Sequence, residues 1–306
     1  MDAIITALNA SLPAFFLIIV GSLSDYWLTK LDLTTLARLS VYILIPALVF
    51  NALIGTSLTL SDASWLALAY VLYLLGVAAV AAGLSRSLDT TQTRGVIATS
   101  LFGNTGNMGL PITFFAYGQA GLERAVVILV VSLILMFALG APLLSGSKAN
   151  LWQRFKAALW LPPIWGTVIG VIWNVTASTF SWQLPISVIE SVRLLAGAAI
   201  PVMLLSLGVQ MRRSWVWGIG PAALRATLAR LLSGPLIAYG VARLLALPQL
   251  DTSVLVLSAA MPAAVTMFVL AVEVKGDAEG VGRSVVATTV GSVFVITAVL
   301  FLFPNS

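Results

Sequence analysis

The run Phe102-Gly103-Asn104-Thr105-Gly106-Asn107-Met108-Gly109-Leu110-Pro111 is poor helix material. Its glycines, asparagines and proline lie within an otherwise apolar stretch, and each disfavours a continuous helix. A milder interruption, Ser258-Ala259-Ala260-Met261-Pro262, lies in the second half of the chain. A proline suits the first position of a new helix, because its missing N–H would have no partner there. Helices restarting near Pro111 and Pro262 would turn the free N–H groups of Ile112, Thr113, Ala263 and Ala264 toward the breaks. The positive ends of two helix dipoles would stand behind them. Asn104, Thr105 and Asn107 add neutral donors and acceptors, and Gly109 belongs to the same run. No Asp or Glu lies near either break. The chemistry is that of anion binding, with Asn104, Thr105, Asn107, Gly109, Pro111, Ile112, Thr113, Pro262, Ala263 and Ala264 as the expected substrate-binding set. No catalytic residue, metal ligand or cofactor is expected.

These residues sit in a chain of 306 residues that is 60 % apolar and only 9 % charged. A soluble domain carries about 25 % charged residues, so an ordinary soluble enzyme and a disordered protein are excluded. The net charge of +5 is too sparse for a nucleic-acid face, and nucleic acid is not an expected partner. The chain has no Cys and no His. That removes disulfides, thiolate metal sites and the commonest general base.

The elements that must position the breaks are membrane helices, each about 20 apolar residues long. Ten candidates are read at 4–23, 34–54, 64–83, 95–117, 123–144, 161–176, 186–208, 224–246, 252–273 and 283–303. The first span lacks a basic leader and an Ala-x-Ala site, so it is read as retained. The breaks fall in spans four and nine. In the membrane such backbone survives only where protein or water satisfies its polar groups. Linkers after odd-numbered spans, with adjoining helix ends, hold 13 of the 16 Lys and Arg; linkers after even-numbered spans hold Arg124, Arg193 and Arg243. The positive-inside rule then places both termini outside a cell membrane. Within this count Arg225 and Arg230 lie inside span eight; without them the ratio is 11 to 3 and the orientation stands. The segment 151–160, with Trp152, Phe155, Leu159 and Trp160 on one face beside Arg154 and Lys156, reads as an interfacial helix.

The two halves resemble each other. Leu12-Pro13 and Gly21 match Leu161-Pro162 and Gly170 at an offset of 149. Arg38-Leu39 and Ile45-Pro46 match Arg193-Leu194 and Ile200-Pro201 at 155, and Leu110-Pro111 matches Met261-Pro262 at 151. Gly121, Arg124, Val126 and Val127 match Gly280, Arg283, Val285 and Val286 at 159. Shared apolar composition does not explain ordered Pro and Arg pairs. Residues 1–150 and 151–306 are therefore read as two five-helix repeats. Five is odd, so the second repeat enters the membrane inverted, an arrangement found in many secondary transporters. Taken singly, Asn104 and Asn107 read equally well as amides joining helices, and Pro111 and Pro262 as kinks. Their placement at corresponding breaks favours a site. Pro46, Pro201 and Pro235 read as kinks, Glu190 and Arg193 as a structural pair, and Glu273 as a solvated helix end.

The run Asn104-Thr105-x-x-Met108-Gly109-x-Pro111 resembles the fourth-helix motif of the auxin efflux carrier family, which includes plant auxin carriers and bacterial malate-type permeases. Ile45-Pro46-Ala47-Leu48, Ile200-Pro201, and Met261-Pro262 followed by Ala271-Val272-Glu273 resemble its second, seventh and ninth helices. The resemblance covers essentially the whole chain. It implies an all-helical fold like that of bile-acid transporters and sodium/proton antiporters, with helices 4 and 9 crossing. Helices 1, 2, 6 and 7 would form a scaffold, often dimeric, and helices 3–5 and 8–10 a transport domain moving as an elevator. By the same resemblance Asn104 lies where plant carriers contact the substrate carboxylate. This chain departs from them: segment 64–83 has no charge, Ala263 is not polar, and the central loop 145–160 is short. The expectation is a prokaryotic member moving a small organic anion across the bilayer, possessing a homodimer contact through the scaffold helices. A sodium- or proton-coupled symporter or antiporter of the same fold would want acidic residues at the crossing. An intramembrane enzyme would want a Ser–Lys pair, paired acids or a His–metal set. Neither pattern stands in the sequence.

Overall fold

The computed structural model describes residues 2–28, 31–147, 150–180, 182–213, 216 and 218–304, with 2–11 and 178 given by backbone alone. Lys30 and Lys148 of the charge count lie outside the described residues. All described secondary structure is helical apart from one isolated bridge between Gly103 and Ala263. The helices are α1 (Asp2–Ser24), α2 (Leu33–Leu39), α3 (Ile45–Leu53), α4 (Leu60–Leu84), α5 (Thr90–Leu101), α6 (Leu110–Ser145) and α7 (Leu151–Leu159). There follow α8 (Pro162–Phe180), α9 (Ile186–Arg213), α10 (Pro221–Thr227), α11 (Gly234–Leu244), α12 (Gln249–Ala259), α13 (Val265–Glu273) and α14 (Ala278–Leu302). Five helical runs are long and apolar enough to cross a membrane, or six if Leu151–Leu159 and Pro162–Ala177 count as one bent by 57°. The chain is a polytopic, all-helical membrane protein.

Polar side chains start the helices where the chain leaves a linker. Thr59 and Asp62 form a reciprocal capping box at α4. Asp89 accepts from the Gln92 amide at α5, and Asp277 from the Gly280 amide at α14. Each cap satisfies a donor that has no partner inside its helix. Asn150 caps α7, whose Trp152 and Phe155 rings stack at 5.8 Å while Lys156 lies over Trp152. The segment read as an interfacial helix is thus a separate amphipathic helix, set off from α8 by the bend.

Three of the prolines read as kinks or helix starts share a device. Wide π-turns occupy Ser40–Leu44, Thr105–Gly109 and Leu228–Ser233. Each ends two residues before a proline: Pro46, Pro111 and Pro235. A proline lacks the N–H for the carbonyl four residues back, and its ring crowds that carbonyl. Widening the preceding turn relieves the crowding and keeps the helix going. Pro201, by contrast, sits inside continuous α9. The α6 helix spans two of the stretches read from sequence, and Gly118, at φ 62° and ψ −153°, breaks it between them.

Small residues set the closest helix contacts, as expected where apolar lipid gives helices no hydrophobic drive to associate. A Cβ on Gly21 of α1 would lie 2.2 Å from the Leu205 carbonyl oxygen of α9. A Cβ on Gly170 of α8 would lie 3.1 Å from the Leu53 Cβ and 3.5 Å from the Phe50 Cα of α3. The largest buried cluster runs through α3, α4, α6, α9 and α12. It surrounds the two interrupted helices and holds the breaks in place.

Candidate functional site

The two breaks touch each other. The Asn104 amide donates to the Pro262 carbonyl at 2.8 Å, and the Ala264 amide to the Phe102 carbonyl at 2.8 Å. These bonds make Gly103 and Ala263 a two-residue antiparallel bridge between α5 and α12, whose carbonyl ends both stop here. The bridge satisfies backbone groups that the breaks would otherwise leave unpaired at depth. The Ala263 amide donates to the Thr288 Oγ1 of α14 at 3.1 Å.

The bridge corrects the register expected from the prolines. In the fourth stretch the helix restarts at the π-turn Thr105–Gly109, and the Gly109 amide donates to the Asn104 carbonyl at 2.9 Å. Pro111, Ile112 and Thr113 lie in the helix that continues from this turn and are buried. The amides of Ile112 and Thr113 therefore point along the helix and not at the break. Gly109 is buried within the turn, and Pro262 is buried with its carbonyl already used. Ala263 and Ala264 also spend their amides, on Thr288 and Phe102. The helices restart instead at the first turn from Thr105 and the first turn of α13, at Val265 and Thr266. The physical reason is that paired breaks close on each other before either restarts.

A cavity of about 220 Å³ opens directly on these starts. Gly103, Asn104, Thr105, Gly106 and Asn107 line it from one break, and Ala264, Val265 and Thr266 from the other. Leu129, Leu133, Met136 and Phe137 of α6 form an apolar side. Ser40, Val41 and Ile45, with Leu161, Pro163, Met203, Ser206 and Gln210, close it. Of the residues expected from sequence, Asn104, Thr105, Asn107 and Ala264 stand in the wall. Gly109, Pro111, Ile112, Thr113, Pro262 and Ala263 pack outside it, and the Thr113 hydroxyl is buried without a hydrogen-bond partner. The lining holds no charged side chain. The buried hydroxyls of Ser40 and Ser206 are likewise unpartnered. Nothing local in the sequence marks Ser40, Ser206 or Gln210, single polar residues on helices that only tertiary packing brings to the site.

The residue that sequence reasoning most plainly missed is Arg230. It lies in the π-turn of the eighth stretch and is wholly buried. Its Nε donates to the Met261 carbonyl at 2.9 Å, and its Nη1 to Ser100 at 2.9 Å and Leu101 at 3.0 Å. Nη2 donates to the Ser258 carbonyl at 3.3 Å. The guanidinium thus bridges the last carbonyls of α5 to those of α12, behind the cavity wall. A Cβ on Gly103 would lie 1.8 Å from Nη2, so this glycine is what leaves room for the charge. The signal was present: an ionisable residue inside an apolar span is by default a functional candidate. Among the described residues, no group of three or more His, Cys, Asp or Glu is placed to hold a metal. Glu273 is exposed at the end of α13, and Glu190 pairs with Arg193 on the surface of α9.

Comparison with known proteins places the chain in a family. A family model described as "Membrane transport protein" matches residues 6–302. The chain belongs to this family, the auxin efflux carrier group that its fourth-helix motif resembles. A protein named as an uncharacterized transporter in Methanothermobacter thermautotrophicus is 30 % identical over 298 residues, covering 94 % of this chain and 93 % of that protein. A second uncharacterized transporter, from Methanocaldococcus jannaschii, is 24 % identical over 307 aligned positions, covering 97 % and 96 %. The membrane transport protein family thus supplies the general activity, and the crossing supplies the place where the substrate site is to be sought.

Proposed function

We propose that this membrane transporter carries a small organic anion, a carboxylate, by alternating access, with the paired breaks as its substrate site. One observation carries the reading. The cavity at the crossing is walled by two helix N-termini and by Asn104, Thr105 and Asn107, and has no charged lining. Helix starts favour negative charge, and a carboxylate would meet no opposing acid there.

The architecture proposed around the site is ten spans in two inverted repeats, 1–150 and 151–306. Two close contacts support it. Gly21 packs on Leu205, and Gly170 packs on Phe50. Gly170 is Gly21 displaced by 149, and Leu205 is Phe50 displaced by 155. The same contact is thus made twice, once from each half. The helices in these contacts form the scaffold of the proposed elevator and its proposed homodimer face; the transport unit carries the crossing past them. The apolar α6 side of the cavity suits a sliding seam. With both termini outside, the cavity would lie toward the cytoplasmic side, because its lining includes Leu33, Ala37 and Leu161 next to the basic linkers.

The test is counterflow in proteoliposomes loaded with individual small carboxylates. Saturable exchange of one of them, lost in Asn104→Ala, is the expected result. Exchange of neutral or cationic solutes alone would reject the anion reading.

A further inference from the structure

We infer that Arg230 is a built-in counter-cation: its guanidinium occupies the place between the two half-helix C-termini that an exchangeable monovalent cation would otherwise have to fill. The inference does not depend on what the cavity carries. An interrupted helix pair presents two kinds of unsatisfied backbone groups, donors at the restarting ends and acceptors at the stopping ends. At the stopping ends the carbonyls of Ser100, Leu101, Ser258 and Met261 all accept from one guanidinium, through Nε, Nη1 and Nη2. Four carbonyl oxygens with the negative ends of two dipoles behind them make a cation-binding set. Here the set is filled by a covalently attached cation. None of the ion pairs among the described residues involves Arg230. Its hydrogen bonds among the described residues go to backbone carbonyls.

Three details make the fit specific to a guanidinium. The planar fork supplies separate N–H groups to carbonyls of two different helices, which a single ammonium cannot span as well. Gly103, in the bridge itself, leaves no Cβ in the guanidinium's path. The π-turn at Leu228–Ser233, two residues before Pro235, holds Arg230 within the wide turn. The consequence is that the crossing keeps its geometry without sodium or potassium.

The test uses thermal unfolding midpoints of the purified full-length protein in choline, sodium, potassium and guanidinium chloride, at matched low-millimolar concentrations and constant ionic strength. Wild type, Arg230→Ala, Arg230→Gln and Arg230→Lys are compared. The wild-type midpoint is expected to be the same in choline, sodium and potassium. Arg230→Ala is expected to unfold several degrees lower in choline and to recover saturably with guanidinium, with a smaller recovery in sodium or potassium. Arg230→Gln, closer in size but neutral, is expected to show the same response in weaker form. Arg230→Lys keeps a charge and is expected to show none. A merely space-filling arginine would give no saturable cation response in either neutral variant, and that result overturns the inference. Recovery of folded protein from Arg230→Lys but from neither neutral variant supports it. A saturable rise of the wild-type midpoint with sodium overturns it whatever the variants do.

Discussion

The broken helices meet at one crossing, yet their two kinds of ends differ. The stopping ends, α5 and α12, are shut: a guanidinium bonds their last carbonyls, and its side chain is wholly buried. The restarting ends, at Thr105 and Val265, face a cavity. A break in a membrane helix frees donors and acceptors in equal measure. This protein closes the acceptors permanently and leaves the donors facing a space that a ligand can enter. The difference predicts that damage to the closed side is felt as lost stability, and damage to the open side as lost binding.

Gly103→Ala should have the largest effect. The added Cβ would stand 1.8 Å from Nη2, and either the guanidinium or the bridge must give. Stranding a buried charge costs about 3–5 kcal/mol, so a large fall in the thermal midpoint in detergent is expected. On the open side, Asn104→Ala keeps the backbone bonds to Pro262 and Gly109, so stability should change by no more than about 1 kcal/mol, while ligand-induced stabilisation is abolished. Just behind the cavity, Thr113→Val removes a buried hydroxyl that has no partner. Its midpoint should stay within about 1 kcal/mol of wild type or rise slightly, with ligand response intact.

The smallest effect concerns a charge of the opposite kind, paired and away from the crossing. A hydrogen bond from Arg213, with the charges of Arg213 and Arg212, holds the Asp25 carboxyl below its ordinary value of 3.8. A carboxyl depressed in the folded state contributes stability that is present above the unfolded value and lost as pH falls through the folded one. Asp25→Asn should therefore flatten the acid limb of the midpoint-against-pH curve below about pH 4.

Much of this layout was legible in the residues. The apolar stretches are largely helical, with five or six helical runs long and apolar enough to cross a membrane, and the two interruptions sit at residues 102–104 and 260–264, within the runs that hold the prolines. The register of the site was not legible. A proline two residues beyond a π-turn looks, in sequence, like a proline opening a helix, and only the contact between Asn104 and Pro262 shows where the helix restarts. Arg230 was visible as a residue but was weighed as a marker of orientation. Its partners come from 28 to 130 residues away, so no local pattern could assign it. Ser206 and Gln210 reach the cavity for the same reason, through packing of α9 on the crossing.

Whether the open ends bind an anion can be read from ligand-dependent unfolding. Wild type and Asn104→Ala are titrated with a panel of small carboxylates and with the neutral amide of each. A ligand that binds only the folded state raises the midpoint with concentration. A saturable rise is expected for at least one carboxylate, with none for its amide and no rise in Asn104→Ala. An equal rise with the amide, or an undiminished rise in Asn104→Ala, would contradict it.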